Sequence, residues 1–280
     1  EDSALENRAA AGPLPLRIWN TLAYEANDLS SADAAAQLIT SNTPNTFDGD
    51  NGTFGLGEHI YLPFFDFPSQ NGPWPADIMD GLMKIASAAA QGGWHIHEHT
   101  MSNWSIQDLL GRFELLNEAI PMDHLRWTMA HVYDITPDSI ARAKRLGMTL
   151  AVHGVAMNGG VRIPFRDIAE SEIIFGLGTD STVVSHYQPF ITLGWAVSGL
   201  DIAGNKALDQ TLSREEALIA HTRNNAYMFF QEKNLGTLEP GKYADLVVLD
   251  HDYMTIPAEE IFWIKPTMTM VGGRIVFEQE

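Results

Sequence analysis

Residues 93–100 read Gly93-Trp94-His95-Ile96-His97-Glu98-His99-Thr100. Polar and apolar side chains alternate with period two, which predicts a β-strand over 93–99 and puts His95, His97 and His99 on one of its faces. Neighbouring members of that row are about 6–7 Å apart along the strand, so one imidazole can sit at a mouth while the others lie deeper. Helical periodicity precedes the strand over 76–91 and follows it over 106–119. Strands separated by helices imply parallel βα units.

The same rhythm extends outward in both directions. Strands are predicted over 16–20, 55–61, 125–132, 148–154 and 173–180, and further helices over 32–40, 137–146 and 165–170. Thr136-Pro137-Asp138 is a helix-start signal, and Ser213-Arg214-Glu215-Glu216 is a capping box that opens one amphipathic helix over 213–230. Beyond about Gly204 the texture turns to β. A buried strand is expected over 245–250, and strands over 267–271 and 274–277 flank Gly272-Gly273, a hairpin signal. Six strands of βα type fall short of the eight of a closed barrel. An open doubly wound sheet would want a Gly-rich phosphate loop, and no G-x-G-x-x-G opens a helix.

The chain has 280 residues and a net charge of −19, with 17 Lys plus Arg against 36 Asp plus Glu. That balance argues against nucleic acid and anionic membranes as partners. No apolar run approaches the length of a membrane span. Cysteine is absent, which removes thiolate metal sites, disulfides and a cysteine nucleophile, and leaves the compartment open between cytoplasm and periplasm. A transition metal must then be held by His and carboxylates. The chain opens on Glu1, with no signal stretch behind it, and reads as a processed or trimmed piece.

Polar residues collect at the strand ends. His99, His131, His153 and Asp180 fall at or near the C-terminal ends of four successive strands, and Glu58 lies in the strand before His99. In parallel α/β folds chemistry gathers at that end of the sheet. A hydrolytic site of His and carboxylate ligands leaves a position open for water and lowers its pKa. Asp180 is placed to touch the metal and take the proton. His95 and His97 are expected to pack beneath or behind the ligands, although a register with His97 as ligand stays open. His59, His124, His186, His221 and His251 read as surface or structural positions, and Tyr61, Phe64, Phe65 and Phe67 as either cleft lining or loop packing.

These motifs together resemble the C-terminal half of the metal-dependent amidohydrolases, in the YtcJ-like branch known as amidohydrolase family 3. The resemblance covers nearly the whole chain and rests on Gly93-Trp94 with His99-Thr100, on Leu125-Arg126-Trp127 leading to His131, and on Gly178-Thr179-Asp180-Ser181 with Tyr187-Gln188-Pro189. It continues through Glu216-Ala217-Leu218, Thr222 and Ala226 into the block from Leu235 to Asp250, and ends on Val271-Gly272-Gly273-Arg274. It implies an α/β fold, a TIM-like (β/α)8 barrel of which this chain supplies about strands 3–8 over residues 1–230. Residues 231–280 would be the C-terminal portion of a small β-sandwich. It also implies metal ligands at His99 and His131, a metal-proximal general base at Asp180, a ligand at Glu58, and a substrate-contacting residue at His153.

The family's strand-1 His-x-His pair has no counterpart before Leu16. An N-terminal segment or separate chain carrying that pair and strands 1 and 2 is therefore expected to complete the fold, since a barrel lacking two strands leaves open edges. The expected function is hydrolysis of a C–N bond in a small-molecule amide, formamide or cyclic amide, with a divalent metal, zinc foremost, as one or two ions. Two alternatives stand beside it: an inactive family member serving as a binding or assembly subunit, and an ester or lactone hydrolase on the same metal. Homo-oligomerisation is left open.

Overall fold

The computed structural model describes residues 12, 14–44, 46–47, 51–67, 71–153, 162–181 and 185–280. Six parallel strands form a curled half-barrel: β1 (Ile18–Leu22), β3 (Asn51–Glu58), β4 (His95–Thr100), β5 (Thr128–His131), β6 (Thr149–His153) and β7 (Phe175–Gly178), hydrogen-bonded in that order. A two-residue strand, β2 (Thr46–Phe47), pairs antiparallel with β3. Among the described residues β1 pairs with β3 alone and β7 with β6 alone. Gly154, expected to end the strand after His153, lies outside the described residues.

Helices alternate with these strands: α1 (Leu29–Ser41), α2 (Ala76–Gly92), α3 (Asn103–Ala119), α4 (Pro137–Arg145), α5 (Phe165–Glu170) and α6 (Pro189–Ser198). Their ends follow from local chemistry. Ser102 and Thr136 accept the backbone N–H of the third residue of α3 and α4, satisfying donors that a helix start leaves free. Gly93 ends α2 at φ 73°, a left-handed conformation that costs glycine little, and the chain turns directly into β4. Trp94 then donates its indole N–H to the Ile39 carbonyl of α1, and Trp127 donates to the Trp94 carbonyl. Both rings are fully buried, so the layer between helices and sheet is locked in register just below the strands that carry the histidines.

Two expectations need correction. The helix read over 213–230 is two: α7 (Arg214–His221) and α8 (Arg223–Met228), broken at Thr222 with φ −125° and ψ −81°. The capping box at Ser213 and Glu216 is present. On both sides of the break side chains reach β7, whose Leu177 carbonyl accepts from His221 Nδ1 and Asn225 Nδ2, while its Phe175 carbonyl accepts from Asn224 Nδ2, each at 2.9 Å. Positions 221, 224 and 225 keep the i, i+3, i+4 spacing of one helix face, so the pattern runs through a break that only the backbone at Thr222 marks. The second correction concerns β8 (Leu246–Leu249), expected to be buried. It pairs with β9 (Pro266–Val271), which pairs with β10 (Arg274–Glu278) across the Gly272-Gly273 turn. Val247 and Val248 are 47% and 44% exposed and, as neighbours on a strand, point to opposite faces, so this three-stranded sheet shows solvent apolar side chains on both faces.

Candidate metal centre at the strand ends

Parallel register brings the candidate residues to one level of the half-barrel. His99 lies opposite Ala130, Thr100 opposite His131, and His153 opposite Gly178. Glu58 arrives from β3 through Gly57, whose φ is 142° and where a Cβ would meet the His97 carbonyl oxygen at 2.0 Å. Only glycine allows that approach of β3 to β4. At the far side the chain leaves β5 and β7 in left-handed conformations at His131 (φ 73°), Val132 (φ 47°) and Asp180 (φ 50°). Non-glycine residues rarely adopt this region, and Val132 is held there by N–H bonds to the Thr100 and Ala130 carbonyls.

The side chains form a continuous polar chain. Glu58 Oε1 is 2.7 Å from His99 Nδ1 and 2.6 Å from His131 Nε2, and those two nitrogens are 2.8 Å apart. His131 Nδ1 is in direct contact with His153 Nε2, which also lies 2.9 Å from the Tyr133 hydroxyl. Asp180 Oδ2 is 3.5 Å from His153 Nδ1. His99 Nε2 donates to the Asp66 carbonyl at 2.9 Å, which can only accept; the protonated ring also donates Nδ1–H to Glu58, and loss of that proton turns an Nδ1 lone pair toward Glu58 and His131. A set of imidazole nitrogens and carboxylate oxygens with converging lone pairs suits a divalent cation of the zinc type. One ligand atom from each of Glu58, His59 and His99 lies within 4.8 Å of the others, and the same holds for His131, His153 and Asp180.

Burial and charge tune these groups. Burial opposes ionisation of Glu58, but the bonds from His131 and His99 outweigh it and hold the carboxyl well below the usual range. Burial likewise disfavours the charged form of His99, and the Glu58 bond overcomes it and raises the imidazole. Burial, helped by His131, lowers His153 to about 3, so it is neutral at physiological pH. Burial raises the Asp180 carboxyl, against the pull of His131, which makes it a stronger base than a free aspartate. Burial also pushes the Tyr133 hydroxyl up, keeping it a donor.

The structure therefore brings Glu58, His99, His131, His153 and Asp180 together. His97 shares their face of β4 but lies deeper. It lines a cavity of about 230 Å³ with Glu58, His131, His153 and Asp180, floored by Phe54, Leu177, Met228 and Phe229. His95 lies at the base of the same strand and is fully buried. Of the aromatics after β3, Tyr61 and Phe64 are core residues, whereas Phe65 stacks 5.1 Å from His99 with its outer edge exposed. Two participants escaped the sequence. His59, read as surface or structural, stands beside Glu58 and His99; its adjacency to Glu58 was the available signal. Tyr133 lies beyond the end of β5 and carried no signal, because the left-handed turn at His131 and Val132 directs it back toward His153. Asp66, also unnoticed, is fully buried and accepts the backbone N–H groups of Met101 and Ser102 at 2.7 Å, tying its loop to the end of β4.

Comparison with known proteins shows likeness in sequence and in fold. The model described as the amidohydrolase family matches residues 3–277. The putative amidohydrolase YtcJ of Bacillus subtilis is 24% identical over 300 residues, covering 99% of this chain and 55% of that protein. A 5-methylthioadenosine/S-adenosylhomocysteine deaminase of Symbiobacterium thermophilum is 26% identical over 228 residues, covering 73% of this chain and 50% of the deaminase. The chain thus spans about half the length of these curated relatives. Among solved structures, an uncharacterised metal-dependent hydrolase of Pyrococcus horikoshii superposes with a TM-score of 0.67 at 19% identity, over 91% of this chain and 55% of that one, a likeness of fold.

Proposed function

This chain belongs to the amidohydrolase family, and from that premise we propose that it is a metal-dependent hydrolase that opens a C–N bond in a small amide, formamide or cyclic amide. The observation that carries the reading is Glu58 Oε1 set between His99 Nδ1 and His131 Nε2 at 2.7 and 2.6 Å, with His153 and Asp180 continuing the row. One or two divalent ions, zinc foremost, would be held by Glu58, His99, His131 and Asp180. Such an ion polarises a carbonyl and lowers the pKa of water toward neutrality. Asp180, its basicity raised by burial, accepts the proton of the attacking water and returns it to the departing nitrogen. His153 steadies the Asp180 carboxylate from 3.5 Å, with Tyr133 fixing the far side of its ring. His97 and the apolar floor of the cavity receive the group attached to the reacting carbon.

Among the described residues β1 has a partner on one side only, so the reading includes a further segment, on this polypeptide or a separate one, that carries a His-x-His pair and two strands continuing from β1 toward β7. In the same reading the sheet of β8, β9 and β10 is this chain's share of a small β-sandwich. The test is to assay amide, formamide and cyclic amide substrates beside esters and lactones, before and after dialysis against a chelator. Amide hydrolysis lost in chelator and restored by zinc is expected. Hydrolysis that persists without metal, or ester cleavage with no amide cleavage, overturns the proposal.

A further inference from the structure

We propose that Glu98 is a positioning residue of the site: its buried carboxyl holds the backbone that aims Glu58 at His99 and His131. The inference rests on the metal-dependent reading above, in which Glu58 is a ligand. Alternation along β4 puts Glu98 on the face opposite His97 and His99, with Ile96 and Thr100 beside it. All three are 1% exposed or less, and Met129, which lies opposite Glu98 on β5, is fully buried. A carboxyl in such a layer is costly unless its oxygens find partners. Glu98 Oε2 accepts the Ile60 N–H at 3.2 Å, whereas Oε1 is buried without a hydrogen-bond partner. A side chain kept for the layer's own stability would be apolar or fully bonded. The bond that Glu98 does make goes to the backbone two residues past Glu58.

That point is where β3 leaves the sheet. The β3–β4 ladder ends with Glu58 opposite Glu98. Glu58 nevertheless reaches His99 and His131, which belong to the other side of the sheet from Glu98. Gly57, at φ 142°, makes that turn possible, but a glycine permits many directions and fixes none. Packing does not fix the direction either, since the Glu58 side chain is 37% exposed. The fixed point is Ile60, a core residue whose N–H is taken by Glu98. With the β4 ladder on one side of Glu58 and this bond on the other, the carboxylate is delivered by its backbone.

The experiment compares variants of the full chain, with whatever segment co-purifies with it. Glu98→Gln keeps an acceptor for the Ile60 N–H, while Glu98→Leu and Glu98→Met remove it and still fill the apolar space. Amide exchange at Ile60, followed by NMR on isoleucine-labelled protein in chelator, should be at least about tenfold faster in the Leu and Met variants and unchanged in the Gln variant. Zinc affinity, from equilibrium dialysis, should fall about 10–100-fold in the Leu and Met variants and be kept in the Gln variant. In a Glu58→Gln background Glu98→Leu should cost no further affinity, because no carboxylate is left to aim. A merely structural role would give additive losses. Ile60 exchange unmoved by Glu98→Leu and Glu98→Met, a Gln variant as impaired as the Leu variant, or additive losses in the double variant would overturn the assignment. Faster Ile60 exchange in a chain that binds no zinc even when unaltered would sink the proposed function and keep Glu98 as the anchor of this segment. Unchanged zinc affinity in Glu98→Leu would do the reverse.

Discussion

His95 and His99 stand four residues apart on one face of β4, are 1% and 4% exposed, and have opposite fates. At the floor of the half-barrel His95 donates Nδ1–H to the Leu125 carbonyl at 3.1 Å, while its Nε2 faces the Thr128 hydroxyl at 3.5 Å and its ring packs on Phe54. Every polar atom of that ring has a partner, and the ring fills space. At the mouth His99 turns Nδ1 toward a carboxylate and a second imidazole at once. Residue type, strand face and burial are the same at the two ends. The neighbours decide: carbonyls and hydroxyls complete a histidine, whereas carboxylates and other imidazoles leave it wanting a cation.

The largest test of this contrast is at the mouth. Asp180→Asn keeps the shape of the side chain and removes the base, so kcat on an amide substrate should fall about 10²–10⁴-fold. Thermal melting should move little, because the side chain is more than one-third exposed. A variant that retains full activity would remove Asp180 from the chemistry. The floor should answer in the opposite way. His95→Ala leaves a cavity and strands the Leu125 carbonyl, at a cost of about 3 kcal/mol, roughly 5–10 °C in melting temperature. The amount of metal bound should not change. If His95→Ala loses metal, the register with ligands lower on β4 is the right one and the contrast between floor and mouth fails.

Much of this was legible beforehand, and for identifiable reasons. Period-two histidines gave β4 its face, and parallel pairing then brought the ends of β3 to β7 to one level, so His99, His131, His153 and Asp180 could be named from strand ends, while Glu58, read inside the strand over 55–61, owed its ligand role to the family resemblance. Those are short-range patterns repeated by a regular sheet. His59 was read as surface or structural and Tyr133 was not read at all, because each sits beyond a strand end, where backbone conformation rather than periodicity sets direction. The break at Thr222 was missed for a related reason. Helical periodicity continues through it, and only the backbone conformation of Thr222, φ −125° and ψ −81°, marks it. The exposure of β8 was misread because four apolar residues in a row look buried whatever lies beside them.

Acid sharpens the comparison further. Burial lowers His95 to about 3 and lowers His221, which donates to the Leu177 carbonyl on the far wall. Both have folded pKa values below the unfolded value near 6.5. Above that pH neither state is protonated and the two residues contribute no pH dependence. As pH falls from 6.5 toward 3 the unfolded chain takes up protons that the folded one refuses, so stability declines. Between pH 7.5 and 5 the His95 contribution is about 2 kcal/mol. Urea unfolding of the metal-free chain should show this slope, and His95→Gln should flatten it. An unchanged slope would mean that His95 titrates in the fold and is not the sealed residue its partners describe.

The smallest expected effect separates the half-barrel from the sheet that follows it. Val247 lies on β8, 47% exposed, with a strand-favouring shape and little buried surface to lose. Val247→Thr keeps the β-branch and replaces a methyl group by a hydroxyl facing water, so unfolding free energy should change by less than about 0.5 kcal/mol. Leu177 on β7 has the same apolar character and is 1% exposed. Leu177→Ala should cost about 2–5 kcal/mol, since it deletes a fully buried side chain of the core. The ratio of the two effects is the informative quantity. A loss of 1 kcal/mol or more at Val247 would show that this face is covered in solution, and the segment that covers it should then be sought where the β-sandwich reading places it, against β8.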